Sequence, residues 1–248
     1  SLLKKAAQFE EGLAGVVLSQ LVANANIASE KKIPLCQDCG YASVFITVGE
    51  EVQLEGSLTG AVKQGVAEAF QEGYLRQSVI SDALWGRDQF KSNPGFLHLE
   101  LKPGSDFKVE VILKGGGSDN ASRLFMLKPT TSENELIDLI VANVAEVAPN
   151  ACPPIFIGLG VGGSFDLAPQ LSKKALLSDF TVKDAGPNGR LAKKLLRAIN
   201  ELGIGPAGLG GQHTALGVAV LTEKCHMASL PVAINIGCNC LRSAAASL

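Results

Sequence analysis

The chain has 248 residues, a formal net charge of −2, 46% hydrophobic and 19% charged residues, the balance of an ordinary globular protein long enough to bury a substantial core. With no basic excess to release counterions, the composition argues against a nucleic-acid binder. No apolar run of about 18 residues is expected to span a bilayer, and the N-terminus lacks a secretory-signal pattern. The expected setting is therefore the cytoplasm, away from the membrane.

Apolar residues recur mostly three or four apart from Leu2 to Ile27, which predicts a helix over residues 1–30. Pro34 and Gly40 bracket a break, and the run 42–48 reads as a buried strand. Helical spacing returns over 58–80, with Val62, Val66, Phe70 and Leu75 facing inward. Residues 96–101 and 107–113 alternate apolar with polar and read as strands joined at Pro103-Gly104, followed by a glycine-rich loop over 115–120. Ser132 and Glu135 form a capping-box pair at the start of a helix over 132–148. A short strand at 155–159, helices at 166–177 and 190–202, and strands at 216–221 and 232–236 complete the pattern. No repeat and no dividing linker is visible, and the order of elements predicts an α+β fold, a single domain over residues 1–248 with mixed β-sheets flanked by helices.

Six cysteines (Cys36, Cys39, Cys152, Cys225, Cys238 and Cys240) are too few to scaffold a chain of this length with disulfides, so they read as reduced thiols. Cys36-Gln37-Asp38-Cys39 has the spacing of a redox pair, yet a strand rather than a helix follows it. The close pair Cys238 and Cys240 is too tight for a good half of a tetrahedral zinc site. A cluster held by thiolates from several loops, a redox pair, zinc and plain buried thiols all stay open on spacing alone. Gly158-Leu159-Gly160-Val161-Gly162-Gly163 matches the dinucleotide fingerprint, but the acidic residue expected about 20 residues on is missing. Of the histidines, His98 reads as a solvent-facing strand residue, while His213 and His226 lie in breaks, where functional residues concentrate.

Five ordered blocks carry a resemblance. Pro34-Leu35-Cys36-Gln37-Asp38 resembles the cluster-binding segment of the class I (iron–sulfur) fumarase and L-tartrate dehydratase family. The run KGGGSDNASR from Lys114 to Arg123 is similar to that family's glycine-rich loop. Asn150-Ala151-Cys152-Pro153-Pro154 with the glycines that follow, LGIGPAGLGG from Leu202 to Gly211, and His226 through Cys238 look like three further family blocks. Residues 85–94 do not show the Asn-Thr-Gly-rich loop that the family carries before the strand at Phe96, and Cys39 stands where the family usually has Thr.

The resemblance implies an α subunit, or N-terminal-type cluster domain, of a hydro-lyase acting on a small dicarboxylate: fumarate hydration to L-malate, or tartrate dehydration. It implies a [4Fe–4S] cluster on Cys36, Cys152 and Cys238, with one iron left open as a Lewis acid. Asp38 and His226 are implied as the catalytic pair at the leaving hydroxyl, and Gln37, Arg76 and Gly116 as substrate contacts. The base and further carboxylate-binding groups of the family lie in a second domain, so a β subunit and a hetero-oligomer are expected. An iron–sulfur redox or sensor protein is the rival reading.

Overall fold

The computed structural model describes residues 2–91, 95–182 and 184–248; residues 92–94 of the segment before Phe96 lie outside them. In chain order come helices α1 (Leu2–Ala6) and α2 (Gly12–Lys31), strand β1 (Tyr41–Gly49), helix α3 (Leu58–Glu72) and the hairpin strands β2 (Val79–Asp82) and β3 (Gly86–Lys91). Strands β4 (Phe96–Lys102) and β5 (Phe107–Lys114), the short α4 (Gly116–Asn120), strand β6 (Arg123–Leu127) and helix α5 (Glu133–Val147) follow. The chain ends with β7 (Ile155–Gly163), α6 (Leu167–Ala175), α7 (Pro187–Asn200), β8 (Ala215–Cys225), β9 (Leu230–Gly237) and β10 (Arg242–Ser247). The fold is α+β with mixed sheets, as expected. Its contacts group into two compact units, Ser1–Asn24 with Gly117–Asn239 and Ala25–Gly116 with Cys240–Leu248. The divisions within α2 and α4 leave no linker for the sequence to show.

In the unit built around residues 117–239, a four-stranded sheet runs β6-β9-β7-β8, with β7 and β8 parallel and β9 antiparallel to β7 and β6. Side chains alternate across β7. Ile155, Ile157 and Leu159 enter one core with Ile140 and Val144 of α5 and Leu195 and Ile199 of α7, all fully buried. Gly158 and Gly160 face the other way, against α6. A Cβ on Gly158 would lie 2.0 Å from the Ser172 carbonyl oxygen, and one on Gly160 would lie 2.2 Å from that of Ala168. The strand therefore runs straight through the glycine run that mimics a dinucleotide loop, and these glycines are there to let a helix lie on a strand. Helix α5 starts where the capping box predicts: Ser132 Oγ accepts the Glu135 N–H, and Glu135 Oε2 accepts the Ser132 N–H at 2.7 Å. Those N–H and O–H donors hold the Glu135 carboxyl below its ordinary range.

The helix expected over 1–30 is two helices. The chain breaks at Gly12, where φ is +57°, a value costly for residues with a side chain. Glu10, in the break, turns inward: its side chain is only 4% exposed, and Oε1 accepts the N–H groups of Gln212 and His213 at 2.7 Å each, with His213 Nδ1 also at 2.7 Å. A helix continued through Glu10 would forfeit those three contacts. Helix α2 is long and apolar enough to cross a membrane by length and composition, which corrects the expectation that no run reaches that length. Its Leu18, fully buried, packs with Ala6 and Leu216.

In the unit built around residues 25–116, the sheet order is β10-β5-β1-β4, with β4 parallel to β1 and β5 antiparallel to both β1 and β10. Strand β1 is buried along most of its length, and Val66 and Phe70 of α3 pack against it. Helix α3 is shorter than the predicted 58–80. The Gly73 N–H closes it on the Ala69 carbonyl and Tyr74 takes φ +52°. The β2–β3 hairpin that follows turns on Asp82, whose Oδ1 accepts the Leu84 and Trp85 N–H groups at 2.8 Å; these bonds lower the Asp82 pKa. His98 is half-buried rather than solvated. Its ring stacks on Phe45 with centroids 4.5 Å apart, and Nε2 lies 3.1 Å from Ser43 Oγ.

The glycine contacts give a direct test. Gly160→Ala must push α6 off the strand and is expected to lower stability by about 2–3 kcal/mol in urea unfolding. Gly65→Ala, on the exposed side of α3 with nothing within 4 Å of the new methyl, is expected to leave stability unchanged or raise it by up to about 1 kcal/mol.

Candidate active-site segments

Asp38 organises the predicted site in the unit around residues 25–116. Its Oδ1 accepts the Gly40 N–H and its Oδ2 accepts the Gly116 N–H, both at 2.9 Å. Its carbonyl accepts Arg242 Nη2 at 3.1 Å. One residue thus ties the segment after α2 to the glycine loop 78 positions along the chain and to the first residue of β10. Gly40 makes this approach possible, because a Cβ there would sit 2.4 Å from the Lys114 carbonyl oxygen. Lys114 itself, at the end of β5, is 1% exposed.

Cys36 is half-buried, with its thiol 3.2 Å from Oε1 of the exposed Gln37. Cys39 behaves differently. It is 1% exposed, its thiol points to the Cys36 carbonyl at 3.6 Å, and its sulfur accepts the Arg76 N–H at 3.1 Å. That engagement makes Cys39 a structural thiol that positions Arg76, and it weakens the redox-pair reading of the CxxC motif. The Arg76 side chain is exposed. Gly116 donates its N–H to Asp38, so a ligand at this loop would meet its carbonyl and its bare Cα rather than that N–H.

In the unit around residues 117–239, four of the sequence blocks meet. Cys152 is exposed, with φ +54°, between the 3-10 turn Ala148–Asn150 and the cis Pro153-Pro154 bond. Its carbonyl accepts both the backbone N–H of Asn239, at 3.3 Å, and that residue's side-chain Nδ2, at 2.8 Å. Asn239 immediately follows Cys238, so these bonds stitch the two cysteine segments together. Ala207, in the LGIGPAGLGG block, donates to the Pro153 carbonyl at 2.9 Å. Ser122, closing the KGGGSDNASR block, accepts the Ile236 N–H at 3.3 Å, two residues before Cys238. Asp119 of the same block lies 3.9 Å from Lys173 of α6. Burial pushes the Lys173 ammonium below its ordinary pKa, and the Asp119 carboxylate partly offsets that.

His226 occupies the exposed turn between β8 and β9. Its carbonyl accepts the Ser229 N–H at 3.0 Å and its Nδ1 accepts the Ala228 N–H at 3.1 Å. A ring whose Nδ1 accepts carries its proton on Nε2. Cys225 is occupied within the same turn, its thiol donating to the Ser229 carbonyl at 3.4 Å. The sequence reading missed Asn239 and Arg242; their only signal was position, one and four residues after Cys238. Among the described residues, no three His, Cys, Asp or Glu side chains form a group able to hold a metal ion.

The family model described as "Fumarate hydratase (Fumerase)" matches residues 1–247. The chain is 38% identical over 230 residues, 89% of this chain and 80% of the other, to the "Putative L(+)-tartrate dehydratase subunit alpha" of Methanocaldococcus jannaschii. It is 30% identical over 227 residues, 90% of this chain and 75% of the other, to the L(+)-tartrate dehydratase subunit alpha of an Escherichia coli strain. The protein of that name from Shigella sonnei is 29% identical with the same coverage.

The Asp38 clamp can be checked without any ligand. Asp38→Ala removes the acceptor of two N–H groups, and the Gly116 amide is expected to exchange with solvent deuterium roughly tenfold faster or more, as loss of one charged hydrogen bond worth about 1.5–3 kcal/mol requires. Unchanged exchange would remove Asp38 as the anchor of the glycine loop.

Proposed function

Because the chain belongs to the fumarate hydratase (Fumerase) family, we propose that it is the cluster-holding subunit of a hydro-lyase that reversibly hydrates fumarate to L-malate. The observation that carries this reading is the span of the family match, residues 1–247, which takes in all five sequence blocks. Cys36, Cys152 and Cys238 fit an iron–sulfur cluster as donors: none is in a disulfide and none is buried, and thiolates are the ligands that such clusters take. A [4Fe–4S] cluster held by these three thiolates would supply Lewis-acid help to a leaving hydroxide.

The chain's own residues do the rest of the work on this side of the substrate. Arg76 presents a guanidinium that grips one substrate carboxylate, and its backbone is fixed by the buried Cys39 sulfur. Gln37 adds an amide beside Cys36. Asp38 has its carboxylate held in a fixed direction by accepting two N–H groups. His226 presents its Nε2–H from an exposed turn as a hydrogen-bond donor to the departing hydroxyl. In L-malate the bond that breaks joins carbon to that hydroxyl, while a proton leaves the adjacent carbon to a base. We assign the base to a second subunit, which also closes the site to water. The relatives' designation as alpha subunits supports such a partner, in a hetero-oligomer of the cytoplasm.

L-Tartrate is the second reading, favoured by the names of the curated relatives. Tartrate differs from malate by one added hydroxyl, and its dehydration gives oxaloacetate after tautomerisation. Anaerobic reconstitution with iron and sulfide, with and without the second subunit, followed by assays on both substrates, decides between them. The expected result is fumarate hydration in the assembled enzyme and negligible turnover by this chain alone. Tartrate turnover without fumarate turnover would move the assignment to the second reading, and activity on neither would overturn the hydro-lyase assignment.

The site roles have their own test. Cys36→Ser, Cys152→Ser and Cys238→Ser are each expected to lose bound iron, whereas Cys39→Ser keeps it. Asp38→Asn and His226→Ala are expected to retain iron yet lower kcat by about 10²-fold or more. A variant with normal turnover and full iron removes that residue from the mechanism.

A further inference from the structure

The sheet of the unit around residues 117–239 has two ends, and the site residues divide between them. At one end Ile155 of β7 stands beside Ala215 of β8, and Phe156 stands beside Gly237 of β9. Cys152 lies just before that end of β7 and Cys238 just after that end of β9, tied together through Asn239. At the other end Gly163 pairs with Cys225 and Val161 with Val232. His226 belongs there, in the turn that follows β8. Between the two ends β9 runs from Leu230 to Gly237, a rise of about 23 Å. A cysteine arm, a cluster with a substrate hydroxyl beside it and an imidazole arm, laid end to end, reach no more than about 17 Å. His226 therefore falls short of any hydroxyl at a cluster held by Cys152 and Cys238 of its own chain.

The turn is nevertheless built to present this side chain. The Ala228 N–H on Nδ1 fixes the ring, and the Ser229 N–H closes the turn on the His226 carbonyl. Met227, next to it, is 89% exposed. A ring set in place beside an exposed methionine suits a surface that another protein covers. We infer that His226 serves the cluster site of a second copy of this chain, each copy lending its β8–β9 turn to the Cys152–Cys238 end of the other. A two-fold pairing does this reciprocally, because in such a dimer each copy receives what it gives. The part that His226 plays there rests on the hydro-lyase reading, whereas the seat of its turn on a second copy does not.

Two experiments test the exchange of turns, one without turnover and one with it. Chains carrying the photo-reactive p-benzoylphenylalanine in place of Met227 are co-assembled with heavy-isotope-labelled wild-type chains and the second subunit, then irradiated. Cross-links from position 227 to labelled peptides covering 148–154 or 236–239 are expected. Cross-links to those peptides in the unlabelled chain alone, or none to them in either chain, overturn the proposal. For the assembled enzyme, Cys152→Ser and His226→Ala chains, each impaired by itself, are co-expressed with the second subunit. About a quarter of wild-type turnover is expected, because random pairing makes half the dimers mixed and gives each of those one complete site. A mixture no more active than the His226→Ala enzyme overturns the exchange. Wild-type enzyme inert on both dicarboxylates would sink the hydro-lyase reading instead, and the cross-link alone then decides where the turn sits.

Discussion

The Asp38 carboxylate is the contact on which the candidate site depends. It gathers one N–H from its own turn and one from the glycine loop, while its carbonyl takes a guanidinium N–H from the start of β10. Three stretches far apart in sequence are thereby set around one residue that follows directly on Cys36 and Gln37. Backbone donors to an ionised acceptor make strong bonds and lock the acceptor's direction. A residue that must present a fixed charge to a substrate needs that kind of anchoring, because an unheld carboxylate would spend its time hydrated and turned away.

The same device recurs in the other unit with different atoms. The Cys152 carbonyl accepts twice from Asn239, and Glu10 accepts from two successive backbone N–H groups in the loop that carries His213. In each case one acceptor collects donors from a single distant residue or loop, which fixes a loop without a long strand pairing. Loops that carry ligands can then keep their thiols uncovered while their backbones stay satisfied. Cys39 shows the complementary use of sulfur: buried, it accepts the Arg76 N–H and is a structural element rather than a ligand.

Much of the scaffold could be read from the sequence where a local rule and the tertiary structure agree. The Ser132–Glu135 capping box, the buried β1 run and the alternation in β4 and β5 are local signals, and each appears at the predicted place. The departures arise where a distant contact overrides the local pattern. Periodicity alone continues the first helix through Glu10, but three contacts to residues more than 200 positions away break it. The β2–β3 hairpin starts at the very end of the predicted helical run and lies mostly beyond it, in a stretch with no local strand pattern, since its signal is one aspartate capping two N–H groups. Strand β10 has the small-residue sequence Arg-Ser-Ala-Ala-Ala-Ser, with no apolar alternation to mark it, and exists through its pairing with β5. The site residues were legible only through the order of the blocks: spacing left four readings of the cysteines open, and nothing local distinguishes Cys39 from Cys36. The roles of Asn239 and Arg242 rest on bonds to residues 87 and 204 positions away, which no local rule contains.

Mössbauer spectroscopy of the iron-loaded chain, before and after adding fumarate or L-malate, most directly tests the claim that this subunit holds a cluster with one open iron. The account expects the signal of a single iron to shift while the others, each on a cysteine thiolate, stay where they are. A cluster whose irons all remain unmoved by either dicarboxylate, with Cys36, Cys152 and Cys238 intact, would contradict it.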